Sequence, residues 1–157
     1  MKSVPLSKDR TLSVDSEWDV FIRDEVNNHK KAFFTGKRFV KFLLTMHDIN
    51  RLVVKARDGK SVCVKLHLGG GWHVSLSPGF ACVDFRKFFQ HRDRSIKPTR
   101  TGISLTFGEW DVLMNAAETM KNEMDGFKAI SPCWHPSDHE LEQCLECTPW
   151  RATVLTD

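Results

Sequence analysis

The sequence predicts an α+β protein built from two tandem ββββα units, each a curved antiparallel sheet followed by a helix. Three observations predict this class. An apolar stripe with helical spacing occurs twice, 61 residues apart, stretches of alternating apolar and polar residues precede each stripe, and turn residues separate those stretches. We expect residues 3–58 to form the first unit, residues 60–121 the second, and residues 122–157 an acidic tail containing Cys and His.

The strands are predicted by period-two alternation. Residues 12–14 align with residues 74–76, and residues 20–23 align with residues 83–86. Glycine and Ser-Pro-Gly turn residues lie between the strands of the second copy. Each unit is therefore expected to run strand, strand, strand, long basic loop, strand and helix, with the basic loops at residues 30–41 and 86–100.

The helices are predicted by apolar residues at i, i+3, i+4 and i+7 in residues 42–56 and again in residues 103–117. Each stripe follows a Thr-x-x-Asp/Glu sequence that is typical of a capping box, at Thr45 and Thr106. We expect a short strand to continue into a capped helix in each copy, over residues 46–57 and 107–121.

A unit of about 60 residues buries little apolar surface by itself. We therefore expect the two units to pack helix against helix, as a monomer with an internal pseudo-twofold axis rather than as a homodimer. The expected contact residues are Ile49, Leu52, Trp110 and Leu113. Trp110 is expected in the core and not on a nucleic-acid base.

The charge is distributed unevenly along the chain. The net charge is +3, but residues 1–100 contain twenty Lys/Arg against ten Asp/Glu, and residues 101–157 contain three against ten. Both basic segments include adjacent Phe residues, at positions 33–34 and 88–89, which solvated loops rarely contain. A polyanion is the partner that this pattern predicts.

Several function classes do not fit the sequence. We find no Ser/His/Asp order, phosphate loop or dinucleotide fingerprint, so we expect no enzyme activity. No apolar run approaches the roughly 18 residues of a membrane-spanning helix, and no signal-peptide core is evident, so we expect neither a membrane protein nor a secreted one. The odd number of cysteines predicts a reducing compartment and not a disulfide framework.

Residues 74–113 resemble the C-terminal domain of the Positive Cofactor 4 family of transcriptional coactivators. The resemblance is carried by VDFRKFF at residues 83–89, KPTRTGISLT at residues 97–106 and EW at residues 109–110. The resemblance implies a nuclear protein that binds unpaired or melted DNA. It also implies transcription machinery proteins as further partners. The family is homodimeric, whereas here one chain would supply both halves. Phe89 replaces the family's Trp, and Thr101 replaces one Lys of its basic pair.

Charge pattern and resemblance together predict a surface for single-stranded DNA, in which cations track the phosphates and aromatic rings stack on bases. Phe80 and Trp72 are further candidate stacking rings. Asp24 and Glu25 stand where the second copy has Lys and Phe, so we expect the first unit to contribute less. The predicted contacts are Arg86, Lys87, Phe89, Arg92, Arg94, Lys97 and Arg100 in the second unit, and Lys30, Lys31, Lys37, Arg38 and Lys41 in the first.

The tail could hold a zinc ion. Its Cys-x2-Cys step is the half-site that tetrahedral zinc favours, and four of five residues would complete the site. The other interpretation is a reduced acidic tail with unpaired thiols, which could fold over the basic groove and compete with DNA. The five candidates are Cys133, His135, His139, Cys144 and Cys147.

Two other functions stay open at this point. A pseudo-dimer that kept the fold and lost much DNA affinity could serve as a protein-interaction module that recruits a partner through its tail. RNA could also replace DNA, because stacking and phosphate contacts do not themselves exclude ribose.

Overall fold

The structure, a computed structural model, describes residues 2–130. Two four-stranded antiparallel sheets are each followed by a helix, and the strands of each sheet lie in chain order. The predicted α+β fold of two ββββα units is confirmed. The elements are β1 (Lys2–Pro5), β2 (Arg10–Val14), β3 (Val20–Asp24), β4 (Lys31–Phe34), α1 (Gly36–Arg57), β5 (Val64–Gly69), β6 (Trp72–Leu76), β7 (Cys82–Gln90), β8 (Ile96–Thr106), α2 (Phe107–Glu123) and a 3-10 helix (Asp125–Ala129).

The two sheets have corresponding registers. Leu12 of β2 lies opposite Ile22 of β3, and Val74 of β6 lies opposite Phe85 of β7. All four side chains are buried. The alternation that aligned these strands in the sequence therefore predicted their apolar face.

Helix α1 differs from the prediction. It begins at Gly36, ten residues early, with Thr35 as its N-cap. Thr45, the predicted cap, lies inside the helix, and its hydroxyl donates to the carbonyl oxygen of Lys41 at 2.9 Å. Such back-bonding is what Ser and Thr do in helix interiors. The short strand predicted directly before residue 46 is therefore wrong, because Thr45-x-x-Asp48 has the sequence of a capping box but lies inside α1.

Neither predicted basic loop is a long loop. Residues 30–41 form β4 and the first turns of α1, and residues 86–100 form most of the β7–β8 hairpin, whose strands leave only residues 91–95 between them. Helix α2 begins as predicted. The Thr106 hydroxyl accepts from the backbone N–H of Glu109 at 3.1 Å, and the Glu109 carboxylate accepts from the backbone N–H of Thr106 at 2.9 Å.

One apolar core is shared by both units. The rings of Phe42 and Phe85 lie 5.8 Å apart, and those of Phe42 and Trp110 lie 5.9 Å apart. Trp110 is fully buried, and its indole N–H donates to Oδ1 of Asn50 at 3.0 Å, so it joins the two helices as expected. Leu113 is also fully buried.

The other two predicted helix-contact residues, Ile49 and Leu52, line an open apolar cleft of about 200 Å³ between α1 and the strands β5 and β6. Helix α1 of the first unit therefore packs against the sheet of the second. Within residues 2–130, no helix is long and apolar enough to cross a membrane.

A polar cluster also joins the units, around the start of α2. Arg10 of β2 pairs with Glu109 at 3.1 Å and donates to the carbonyl oxygen of Ser104, and the Ser7 hydroxyl donates to Glu109 at 2.6 Å. Burial by itself would raise the pKa of Glu109, but the hydrogen bonds from Ser7 and Thr106 and the charge of Arg10 outweigh it and hold this pKa below its usual value. The carboxylate is thus a charged link between the first sheet and the second helix.

Candidate nucleic-acid interface

Each sheet has an inner apolar face against the core and an outer face made by the alternate side chains. The outer face of the first sheet carries Ser3, Pro5, Thr11, Ser13, Phe21, Arg23, Lys31 and Phe33. The outer face of the second sheet carries Lys65, His67, His73, Ser75, Asp84, Arg86, Phe88, Gly102 and Ser104. The outer faces of the two sheets therefore both combine polar, cationic and aromatic side chains.

The β7–β8 hairpin gathers most of the predicted second-unit contacts. Its strands contain nine and eleven residues, against four to six in the other strands, so its end extends beyond the rest of the sheet. The register shifts between Arg86 and Phe88, which marks a β-bulge. Five predicted cations lie exposed on this hairpin: Lys87, Arg92, Arg94, Lys97 and Arg100.

The turn of the hairpin is ordered by its own hydrogen bonds. Asp93 accepts from the hydroxyl and the backbone N–H of Ser95, and these bonds hold the pKa of Asp93 below its usual value. His91 and Ser95 close the turn with a backbone bond of 2.8 Å. Asp93 therefore stays ionised and offsets part of the positive charge of the turn.

Arg86 is held in place by several hydrogen bonds. Its guanidinium pairs with Asp84 through two bonds, of 3.1 and 3.0 Å, and also donates to the carbonyl oxygens of Thr99 and Arg100. Ser104 donates to the same Asp84 at 2.7 Å. Arg86 is half-buried and fastens β7 to the bulged part of β8, with its charge balanced by a carboxylate.

Gly102 permits this close approach of the strands. A Cβ at this position would lie 2.6 Å from the carbonyl oxygen of Phe85 and 2.9 Å from the Cα of Arg86. The glycine of the GIS sequence is thus required by the approach of the β7 backbone.

The aromatic candidates of the second unit separate clearly. Phe88 is half-buried on the outer face, with its ring 4.5 Å from that of His73 and 4.8 Å from the Lys65 ammonium. Phe89 is 41% exposed, and Phe80, in the β6–β7 connection, is 67% exposed. Trp72 is 4% exposed on the inner face, so the prediction that it could stack on a base is wrong.

A polar pocket adjoins Phe80. It measures about 270 Å³ and is open to solvent. Burial raises the pKa of the Cys82 thiol, which keeps this wall of the pocket neutral. Hydroxyl groups beside an exposed ring can hydrogen-bond the edge of a base, whereas the carboxylate and the guanidinium of this pocket are bound to each other. The lining residues are Ser75, Ser77, Phe80, Cys82, Asp84, Arg86 and Ser104.

The first-unit cations are spread over two elements. Lys30, just before β4, and Lys31, its first residue, are exposed, and Lys37 is exposed in the first turn of α1. Lys41 is half-buried further along α1.

Arg38 is half-buried and reaches the turn between β5 and β6. A Cβ at Gly70, whose φ is +64°, would lie 2.2 Å from its Nη2 atom. This side chain therefore packs across the junction between the units.

Sequence reasoning missed Phe21 of the first unit and noted Phe33 only as part of a basic segment. Phe21 and Phe33 lie opposite each other on the outer face, with ring centroids 5.0 Å apart, and both are half-buried. The guanidinium of Arg23 lies 4.4 Å from the centroid of the Phe21 ring. The period-two alternation of β3 and β4, which places Ile22 and Phe34 inside, could have identified them.

The two acidic residues at the end of β3 differ in their surroundings. Asp24 pairs with Arg10 at 3.2 Å, toward the inner side of the sheet. It also accepts from the backbone N–H groups of Asn27 and Val26, and these bonds, with Arg10, hold the pKa of Asp24 below its usual value. Glu25 is exposed in the following turn.

The five candidate zinc ligands, Cys133, His135, His139, Cys144 and Cys147, lie outside the described residues. In residues 2–130, no group of three or more His, Cys, Asp or Glu could hold a metal ion.

A comparison with protein families matches the segment that contains the β7–β8 hairpin. Residues 78–116 match the family model of Transcriptional Coactivator p15 (PC4). The PC4 match covers β7, β8 and the first part of α2, and leaves the first unit outside. No curated protein and no solved structure is significantly similar to the chain. The match supports one domain similar to this coactivator family, within residues 78–116.

Proposed function

We propose that this protein binds single-stranded and melted DNA in the nucleus as a transcriptional coactivator, without enzyme activity. The observation that carries the proposal is the coincidence of two findings on one hairpin. The PC4 match spans the β7–β8 hairpin, and that hairpin presents five exposed cations next to the exposed ring of Phe89.

The proposed mechanism combines two forces. The hairpin cations neutralise phosphates, which makes binding depend on salt, and Phe89 stacks on an unpaired base, which makes binding tolerant of sequence. Arg86 holds the hairpin in shape through Asp84 and the β8 carbonyl groups. Duplex DNA offers the same phosphates but keeps its bases stacked in pairs, so it gains only the first of these forces.

We further propose that residues 3–58 and 60–121 are two copies of one ancestral unit that form a pseudo-dimer within the chain. The corresponding registers of the two sheets and their shared core support this arrangement. In light scattering, a monomer of 18.1 kDa is the expected species.

The test is a salt titration of binding to single-stranded, bubble and duplex oligonucleotides of equal length. We expect the single-stranded and bubble forms to bind more tightly than the duplex, with a slope of about 0.7 per phosphate contacted on the single strand. Equal affinity for all three forms would contradict the proposal. Absence of binding would leave recruitment of a protein partner as the better explanation.

A further inference from the structure

We propose that the outer face of the first sheet is a second contact for single-stranded DNA, which we call the β3–β4 platform and which consists of Phe21, Arg23, Lys31 and Phe33. In this platform the two rings stack on bases and the two cations hold the flanking phosphates. The inference rests on the proposed function, but its residues lie outside the PC4 match.

The two rings are placed where they contribute little to the core. Phe21 and Phe33 pair across β3 and β4 on the outer face, and their row continues through Ser13 and Ser3 to the far edge of the sheet. The outward face of an antiparallel sheet is ordinarily polar. Each ring is half-buried and keeps a surface toward solvent. Phe33 also touches the core in part, so its removal would have a structural cost as well.

The neighbouring row supplies positive charge. It runs through Pro5 and Thr11 to Arg23 and Lys31, which lie opposite each other and are both exposed. The Arg23 guanidinium already lies over the Phe21 ring, at 4.4 Å. A base can join this stack or replace the guanidinium in it, since Arg and aromatic faces both accept bases.

The charge and the aromatic rings of the β3–β4 platform together indicate which ligand it binds. None of the eight side chains in these two rows of the first sheet is a carboxylate, and Asp24 is engaged with Arg10 toward the inner side. Cations beside open rings complement a polyanion whose bases are unpaired. Single-stranded DNA satisfies both conditions, whereas a duplex withholds its bases from the rings.

This contact is not equivalent to the one in the second unit. The aligned position of Phe21 is Asp84, and the position of Arg23 is Arg86. The second sheet therefore carries an ion pair where the first carries an aromatic stack, and its own exposed ring, Phe89, lies further out on the hairpin. The two sheets would grip DNA at different places.

The experiment uses the full chain and photo-cross-linking to oligo-dT that carries 5-iododeoxyuridine. We expect cross-linked peptides that contain Phe21 or Phe33. Cross-links confined to Phe80, Phe88 or Phe89 would overturn the platform and leave the proposed function standing. Loss of all binding and cross-linking would remove the proposed function, and the platform with it.

A variant pair separates stacking from packing. Phe21→Leu with Phe33→Leu keeps apolar volume but removes both rings, and we expect its affinity for oligo-dT to fall about fivefold to a hundredfold while the Tm stays near that of the unchanged protein. Phe21→Trp with Phe33→Trp should retain binding. If the double Leu variant binds DNA as tightly as the unchanged protein, the platform is wrong.

Discussion

Arg23 in the first sheet and Arg86 in the second occupy equivalent positions, yet their surroundings differ. Arg23 is exposed and lies over the ring of Phe21, whereas Arg86 is half-buried and bound to Asp84 and two carbonyl groups. Equivalent arginines thus have different roles: the one in the first unit is an exposed cation beside an aromatic ring, and the one in the second unit stabilises the sheet. The second unit instead presents its exposed cations on the extended β7–β8 hairpin. The first unit lacks such a hairpin because β3 and β4 contain only five and four residues.

The largest effect that we expect is on the free energy of unfolding, and it tests whether the two units fold together. Trp110→Ala should lower the free energy of unfolding by about 3–5 kcal/mol, because it leaves a cavity beside Phe42 and Phe85 and removes the bond to Asn50. Urea unfolding followed by far-UV circular dichroism should show one transition for the whole chain. Two separated transitions, of which only one moves, would mean that the units fold independently.

The next effect concerns the exposed ring of the second unit. Phe89→Ala should weaken binding to single-stranded DNA by about 1–3 kcal/mol, and the loss should persist at high salt because stacking is not screened. Its Tm should change little, since the ring is 41% exposed. The matched change Phe88→Ala should lower Tm more, because that ring packs against His73. A Phe89→Ala protein that unfolds would place this ring among the structural residues.

A smaller effect concerns the charged link between the units. The pKa of Glu109 is held below its usual value, so this carboxylate stabilises the fold above about pH 4.5 and loses that contribution as the pH falls through its lowered pKa. Glu109→Gln keeps a capping-box residue but loses the charge that faces Arg10. We expect the variant to be less stable at pH 7 and to depend less on pH between 5 and 3. Unchanged stability at pH 7 would show that the Arg10 pair contributes nothing.

The smallest effect distinguishes the true helix caps from the false one. Thr106→Ala and Thr35→Ala should each cost about 0.5–2 kcal/mol, with the larger loss at the complete capping box of Thr106. Thr45→Ala should cost nothing or stabilise slightly, because this residue lies inside α1, where Ala is the better helix former. Thermal unfolding of the three variants decides the order. A large loss for Thr45→Ala alone would contradict the position of the first cap.

Local sequence periodicity predicted the strands and the second helix because each depends on neighbours in the chain. Alternation placed Val74 and Phe85 inside, and the capping box placed the start of α2. The start of α1 could not be predicted in this way, because its cap Thr35 lacks the acidic partner three residues later, whereas Thr45 has one. Local pattern alone favoured the wrong threonine.

The candidate DNA-binding site was also predicted only in part, because local sequence pattern does not determine every feature of it. Clustered charge identified the hairpin, but the exposure of Phe89 depends on tertiary packing. Trp72 shares the inner face with Val74 and Leu76, so period-two alternation could have excluded it as a stacking ring. Phe21 was missed because it stands outside the basic segments, although alternation alone predicts that it faces outward.

The most direct test of the account compares charge removal in the two units. Lys97→Gln with Arg100→Gln removes two hairpin cations, and Lys30→Gln with Lys37→Gln removes two cations of the first unit that lie outside the platform. In a salt titration with single-stranded oligonucleotide, we expect both pairs to reduce the slope. The hairpin pair should lose about 0.7 for each phosphate contact, and the first-unit pair should lose less. Equal losses from the two pairs, or an unchanged slope for the hairpin pair, would contradict the assignment of the β7–β8 hairpin as the principal contact with DNA.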